Sequence, residues 1–91
     1  MAPNAKQSYT SFDYQPVDCI PVIASFDSDG HIAPLYVRIN GLSLKVDSFW
    51  VKGSSFSNLI TFNCKLINDN ALIPLSITYH QKECIWTMPK L

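Results

Sequence analysis

From Val17 onward, apolar and polar residues alternate one for one along most of the chain. That period belongs to a β-strand with one buried face. The first such run, "VDCIPVIASF" (17–26), carries Ile20, Val22, Ala24 and Phe26 at period two. Pro21 inside it removes a ladder donor, which predicts an edge strand or a bulge. "DSDG" then turns the chain. The clearest pattern lies around Asn40-Gly41, a dipeptide that favours a two-residue type I′ hairpin. Counting outward pairs Ile39 with Leu42, Arg38 with Ser43, Val37 with Leu44, Tyr36 with Lys45 and Leu35 with Val46. Apolar and polar pairs alternate without exception. The predicted inner face is Leu35, Val37, Ile39, Leu42, Leu44 and Val46; the predicted outer face holds Tyr36, Arg38, Ser43 and Lys45. A slip of one residue would mix the two faces, so the register is well specified.

Past Val46 the alternation falters. A bulge near Asp47-Ser48 would turn Phe49 and Val51 inward and Trp50 outward, and would keep Ser48 out of the core. "KGSSFSN" (52–58) reads as a loop. "LITFNCKLI" then puts Ile60, Phe62, Cys64 and Leu66 on one side. After "NDN", "LIPLSITYH" places Ile73, Leu75, Ile77 and Tyr79 inward and Pro74 outward. After "QKE", "CIWTM" closes the series with Cys84, Trp86 and Met88 inward. No stretch keeps helical spacing for more than two turns. The fold class is therefore all-β: a small antiparallel β-barrel or strongly curved meander of five to six strands, since each strand's apolar face needs cover. Residues 1–16, polar and bounded by Pro16, read as an N-terminal arm. Tyr9, Phe12 and Tyr14 give it something to dock with. Residues 17–91 form one domain.

Composition narrows the class further. Apolar residues make up 47% of the chain and charged residues 15%, which excludes a wholly disordered polymer. The formal charge is zero, though residues 1–30 are net acidic and residues 31–91 net basic. A neutral total supplies no general attraction to nucleic acid, so any such binding needs a local patch. No apolar run approaches the roughly 18 residues of a membrane span, and the start lacks the pattern of a signal peptide. The expectation is a cytoplasmic protein. Its three cysteines, Cys19, Cys64 and Cys84, are expected to be reduced and mostly buried.

Residues able to do chemistry are few. "DSDGH" looks like a cation loop, but counting from Asp27 puts Ile32 where a calcium loop wants glycine and Arg38 where it wants glutamate. A tight turn needs Asp and Gly for backbone reasons alone. Cys64, His80 and Cys84 lack the paired spacing of structural zinc sites. No nucleophile elbow, phosphate-cradling glycine loop or dinucleotide fingerprint occurs. We therefore expect no catalytic residue, no metal and no cofactor.

The outer face of the hairpin is the better candidate. Tyr36, Arg38 and Lys45 lie together there, with Trp50 and Lys52 further along, and Ile32 and Phe56 add apolar mass outside the predicted core. These seven residues read as an interaction surface for a protein partner or a second copy of the chain, giving a non-catalytic interaction or self-association module. The plainer explanation is a cross-strand Tyr36–Lys45 pair covering itself. The alternative function is single-stranded nucleic-acid binding, with Tyr36 and Trp50 stacking bases and Arg38, Lys45 and Lys52 following phosphates. A thiol- or metal-dependent enzyme using Cys64 or Cys84 is the third.

The string "FDSDGHIAPLYVRINGLSLKVD", the later "FNC" and the near-terminal tryptophan resemble short, uncharacterised bacterial all-β proteins. The matching positions are Asp27, Gly30, Ile32, Pro34, Leu35, Val37, Gly41, Lys45, Val46, Asp47, Cys64 and Trp86. Most are turn or core positions, so the resemblance implies a shared fold and carries no activity across.

Overall fold

In the computed structural model, which describes residues 17–54 and 58–90, the alternating segments form seven strands and, among the described residues, no helix. They are β1 (Val17–Cys19), β2 (Val22–Phe26), β3 (Ile32–Ile39), β4 (Leu42–Ser54), β5 (Leu59–Asn68), β6 (Ala71–His80) and β7 (Ile85–Pro89). All pair antiparallel in one sheet of order β1-β7-β6-β5-β4-β3-β2. The count exceeds the expected five to six because the segment read as one strand, 17–26, divides at Ile20-Pro21. The Ile20 N–H donates to the Trp86 carbonyl on β7 at 3.0 Å, and the Pro21 carbonyl accepts from the Arg38 N–H on β3 at 3.0 Å. One short stretch of chain thus serves both edges of the sheet. Pro21 marks the change because its nitrogen has no hydrogen to offer a ladder.

That crossing requires the sheet to curl into a half-barrel. β2 and β6 are four strands apart, about 19 Å in a flat sheet. Yet the rings of Phe26 on β2 and Tyr79 on β6 meet edge to face at 5.8 Å. The core fills the concave side. Val37, Val46, Phe62, Cys64, Leu66, Ile77, Trp86 and Met88 are buried there, with Ile20, Val22, Ala24, Ile32, Ile39, Leu44, Phe49, Ile60, Leu75 and Tyr79 packed around them. The aromatic rings form a chain across it, Phe49–Phe62–Trp86–Tyr79–Phe26, with the Phe62 ring 5.7 Å from Phe49 and 5.5 Å from Trp86.

The hairpin register is the expected one for Ile39↔Leu42, Arg38↔Ser43, Val37↔Leu44 and Tyr36↔Lys45. Asn40 and Gly41 both have the positive φ that a type I′ turn demands, 52° and 81°. The expected inward Leu35 is corrected. Between Ile23 and Ala24 the register against β3 shifts by one, so that Tyr36 faces Ile23 and Pro34 faces Ala24. Leu35 is the extra residue and is exposed, while Pro34 is buried. Below the bulge the inward parity changes, and this turns Ile32 toward the core.

On β4 the bulge at Asp47 is where the faltering pattern put it, with Val46↔Leu66 followed by Ser48↔Lys65. Phe49 turns inward and Trp50 outward. Val51 shares the parity of Phe49 but is half exposed, so it is not the core residue the pattern suggested. A second bulge follows at Lys52, and the strand runs on to Ser54, into the expected loop. Cys84 is likewise corrected. Its N–H closes a turn on the His80 carbonyl at 2.7 Å and its φ is 60°, so it ends the connection from β6, exposed, and the inward alternation begins at Trp86. Cys19 is exposed as well, leaving Cys64 as the buried thiol.

Candidate interaction surface

Curling turns the core side of the sheet inward and leaves the other face convex. Its residues fall into transverse rows, because directly paired positions on neighbouring strands point the same way. One row is unusually apolar. Following the registers outward gives Ile23↔Tyr36, Tyr36↔Lys45, Lys45↔Ile67 and Ile67↔Leu72, a line across five strands from β2 to β6. Ile23 is 62% exposed, Leu72 52% and Tyr36 41%, and Ile67 is half-buried. Arg38 and Ser43 form the next pair along the hairpin, and a hollow of about 170 Å³ lies between Ile23, Tyr36, Arg38 and Ser43, floored by Pro21 and Val22.

The seven residues expected at the surface separate accordingly. Tyr36, Arg38 and Lys45 are brought together. Trp50 and Lys52 are exposed too, but Trp50 lies five residues beyond Lys45 on β4, about 16 Å away along the strand, opposite Asn63. They form a second locality. Ile32 is removed from the surface, since the bulge at Leu35 turns it onto the core. Phe56 lies outside the described residues, as do the arm residues Tyr9, Phe12 and Tyr14. Ile23, Ile67 and Leu72 were missed. Counting register across Asp69-Asn70 pairs Ile67 with Leu72 opposite the inward Leu66 and Ile73, so that part of the row is legible in the sequence.

Beyond Trp50 the convex face turns polar. Ser76 donates to Asn63 Oδ1 at 2.6 Å, the Thr61 and Thr78 hydroxyls lie 3.1 Å apart, and His80 Nε2 lies 2.8 Å from the Thr87 hydroxyl. These pairs satisfy half-buried groups within the sheet.

Groups with reactive potential are accounted for by local structure. In the Asp27–His31 turn, Asp27 Oδ1 accepts from the backbone N–H groups of Asp29 at 2.9 Å and His31 at 2.8 Å, and Oδ2 lies 3.1 Å from His31 Nδ1. The bond from the His31 N–H is the leading cause that holds the Asp27 carboxyl below its ordinary range. Asp27, Asp29 and His31 bring ligand atoms within 4.8 Å of one another, all exposed. Both Asp27 oxygens are engaged by the turn itself. Burial pushes the Cys64 thiol up to about 11, which suppresses the reactive thiolate. Burial also raises the Tyr79 hydroxyl, assisted by a hydrogen bond with Cys84. Cys64 and His80 stand on opposite faces of the sheet and make no common site.

Compared with protein-family models, curated proteins and solved structures, the chain matches none. Among the described residues no helix is long and apolar enough to cross a membrane. What the sheet and its surface define is an all-β protein, curled about one core, with an apolar row on its convex side.

Proposed function

We propose that this protein is a non-catalytic self-association module whose contact surface is the row Ile23–Tyr36–Lys45–Ile67–Leu72, flanked by Arg38. The observation that carries the reading is the continuity of that row across five strands. Isolated exposed apolar residues are ordinary on a protein surface, whereas a contiguous patch marks a contact. A second copy is the favoured partner, because the same apolar row on both partners is self-complementary about a two-fold axis, and zero formal charge offers little repulsion. Lys45 contributes its aliphatic stem to the row and extends its charge to the rim. On this reading the half-barrel is a small barrel whose wall is completed where Ile20-Pro21 crosses between edges. The three unpaired thiols support a reducing, cytoplasmic setting. Kinship with short bacterial all-β proteins is part of the same proposal.

Sedimentation across a concentration series tests the reading. The mean mass should rise with concentration for the native chain and stay at the monomer value for Tyr36→Glu and Leu72→Glu. A native chain that remains monomeric at the highest concentration overturns it. The nucleic-acid reading rests on exposed Tyr36 between Arg38 and Lys45. It requires binding of mixed oligonucleotides that weakens steeply with salt, whereas the apolar row predicts an association that salt does not weaken.

A further inference from the structure

Among the described residues the concave side is left open at the end that carries the Asn40-Gly41 and Asp69-Asn70 turns. Ile39, Leu42, Leu44, Ile73, Leu75 and Met88 line a cavity of about 320 Å³ there, within the size range of small-molecule sites. Leu42, on the inner parity of β4, is 60% exposed at its mouth. Beside the mouth the wall has an opening. Below the Ile20-Pro21 crossing, β1 and the end of β3 diverge around a gap of about 550 Å³, with Asp18 and Lys90 on one bank and Arg38 and Asn40 on the other. Ile39, Asn40 and Met88 border both spaces, so one molecule can span them.

The two spaces differ in chemistry. The cavity walls are apolar side chains of the core side, whereas the gap is edged by charge and by backbone. Lys90 is paired with Asp18 at 3.5 Å, and among the described residues Arg38 has no carboxylate partner. One positive charge is thus left over at the gap. Arg38 also borders the convex hollow beside Tyr36, which places it at the outer lip of the opening. A backbone donor stands on the other bank. Along an antiparallel strand, successive residues turn their peptide groups to alternate sides. The Ile20 N–H bonds to Trp86 on β7, so the N–H of Cys19 faces the gap.

We propose that this cavity and gap bind a single-chain fatty acid, with its alkyl chain among Leu44, Leu75 and Met88 and its carboxylate at Arg38. Charge complementarity argues for this occupant. The guanidinium and the Cys19 N–H are both donors, so the head group they suit is an acceptor. A carboxylate matches the planar guanidinium fork with two parallel hydrogen bonds, and its one negative charge balances the one unpaired cation. An ammonium head would meet Arg38 with like charge, and a hydroxyl would leave the cation without a counter-charge. The tail follows from the walls, since every side chain named in the cavity is aliphatic or a thioether. Burying an alkyl chain there removes apolar surface from water on both partners, including that of the exposed Leu42. The cavity lies on the face opposite the apolar row, so the inference stands apart from self-association.

Calorimetric titration and methyl NMR on the full chain test this, with hexanoate, octanoate and decanoate below their micellar concentrations. Decanoate should shift the Leu44, Leu75 and Met88 methyl resonances and leave Ile60, toward the other end of β5, in place. Affinity should rise roughly tenfold for each two methylene groups added. Decanol and decylamine should bind roughly fivefold or more weakly than decanoate. Arg38→Gln should abolish the preference for decanoate over decanol, and Leu42→Glu at the exposed mouth should weaken decanoate more than decanol. Leu72→Glu, in which contact through the row is blocked, should bind decanoate as the native chain does, which keeps the two readings separable. Unmoved Leu44, Leu75 and Met88 resonances at millimolar decanoate overturn the proposal. Equal affinities for the three head groups overturn it as well. So does binding that is lost in Leu72→Glu, by placing the fatty acid between copies.

Discussion

Two cysteines show how little a side chain's identity decides alone. Cys64 sits on the inner face of β5 between Phe49 and Leu75, 2% exposed, and its thiol is pushed up to about 11 by burial. Cys84 ends a turn with φ 60° and is exposed. Alkylation of the native protein at pH 8 should therefore modify Cys19 and Cys84 promptly. Cys64 should react about two orders of magnitude more slowly than an ordinary free thiol, from its thiolate fraction alone. Mass spectrometry of the labelled peptides reads this directly, and comparable rates at all three sites would contradict the burial. The same shift carries a pH dependence. The folded chain holds the Cys64 proton where the unfolded chain has lost it. The associated stability is full below an unfolded thiol value of about 8.5 and is lost as pH rises toward 11. Denaturant melts between pH 8 and 11 should show this decline, and Cys64→Ala should lessen it.

At the scale of the element, turns and bulges set which residues face where. Gly41 stands at φ 81° with open space where a side chain would go. Gly41→Ala should still destabilise the hairpin by about 1–2 kcal/mol, the ordinary cost of a left-handed L-residue. Chemical denaturation measures it, and an unchanged midpoint would mean that the turn relaxes to another type. The Asp27 turn makes a prediction of the opposite pH sign. Its carboxyl is held low chiefly by the His31 N–H, so its contribution is present above about pH 4 and fades as pH falls through the depressed folded value. A carboxyl titration followed by NMR should give Asp27 a midpoint below 3.8, and Asp27→Ala should speed exchange of the His31 amide. The bulges matter more than either turn for the surface. One extra residue at Leu35 turns Ile32 inward, and one at Asp47 turns Trp50 outward.

Across the whole molecule, stability rests on one concave core, in which Phe62 is buried between the rings of Phe49 and Trp86. A chain of this length is stable by on the order of 5–13 kcal/mol. Phe62→Ala should cost about 3–5 kcal/mol through lost burial and the cavity left behind, a large share of the total. A denaturation midpoint close to that of the native chain would show that the core collapses around the gap. The curl also packs the concave side with the apolar side chains of that core.

By itself the sequence determined what is local. Period-two alternation settled the all-β class, the strands from β3 to β7 and most of their inward faces, because the pleat turns neighbouring side chains to opposite sides. Asn40-Gly41 settled a hairpin register, because few dipeptides accept two successive positive φ values. The tertiary structure decided what depends on distant partners. Residues 17–26 split between two edges, because β7 and β3 both offer ladder bonds to one short segment and Pro21, with no N–H, can accept from Arg38 but donate to neither. Leu35 and Ile32 exchanged faces, because a bulge is set by the neighbouring strand, β2, and not by the run of residues in β3. The apolar row on the convex side exists only once five strands are in register, which is why Tyr36, Arg38 and Lys45 were legible as neighbours and Ile23 was not.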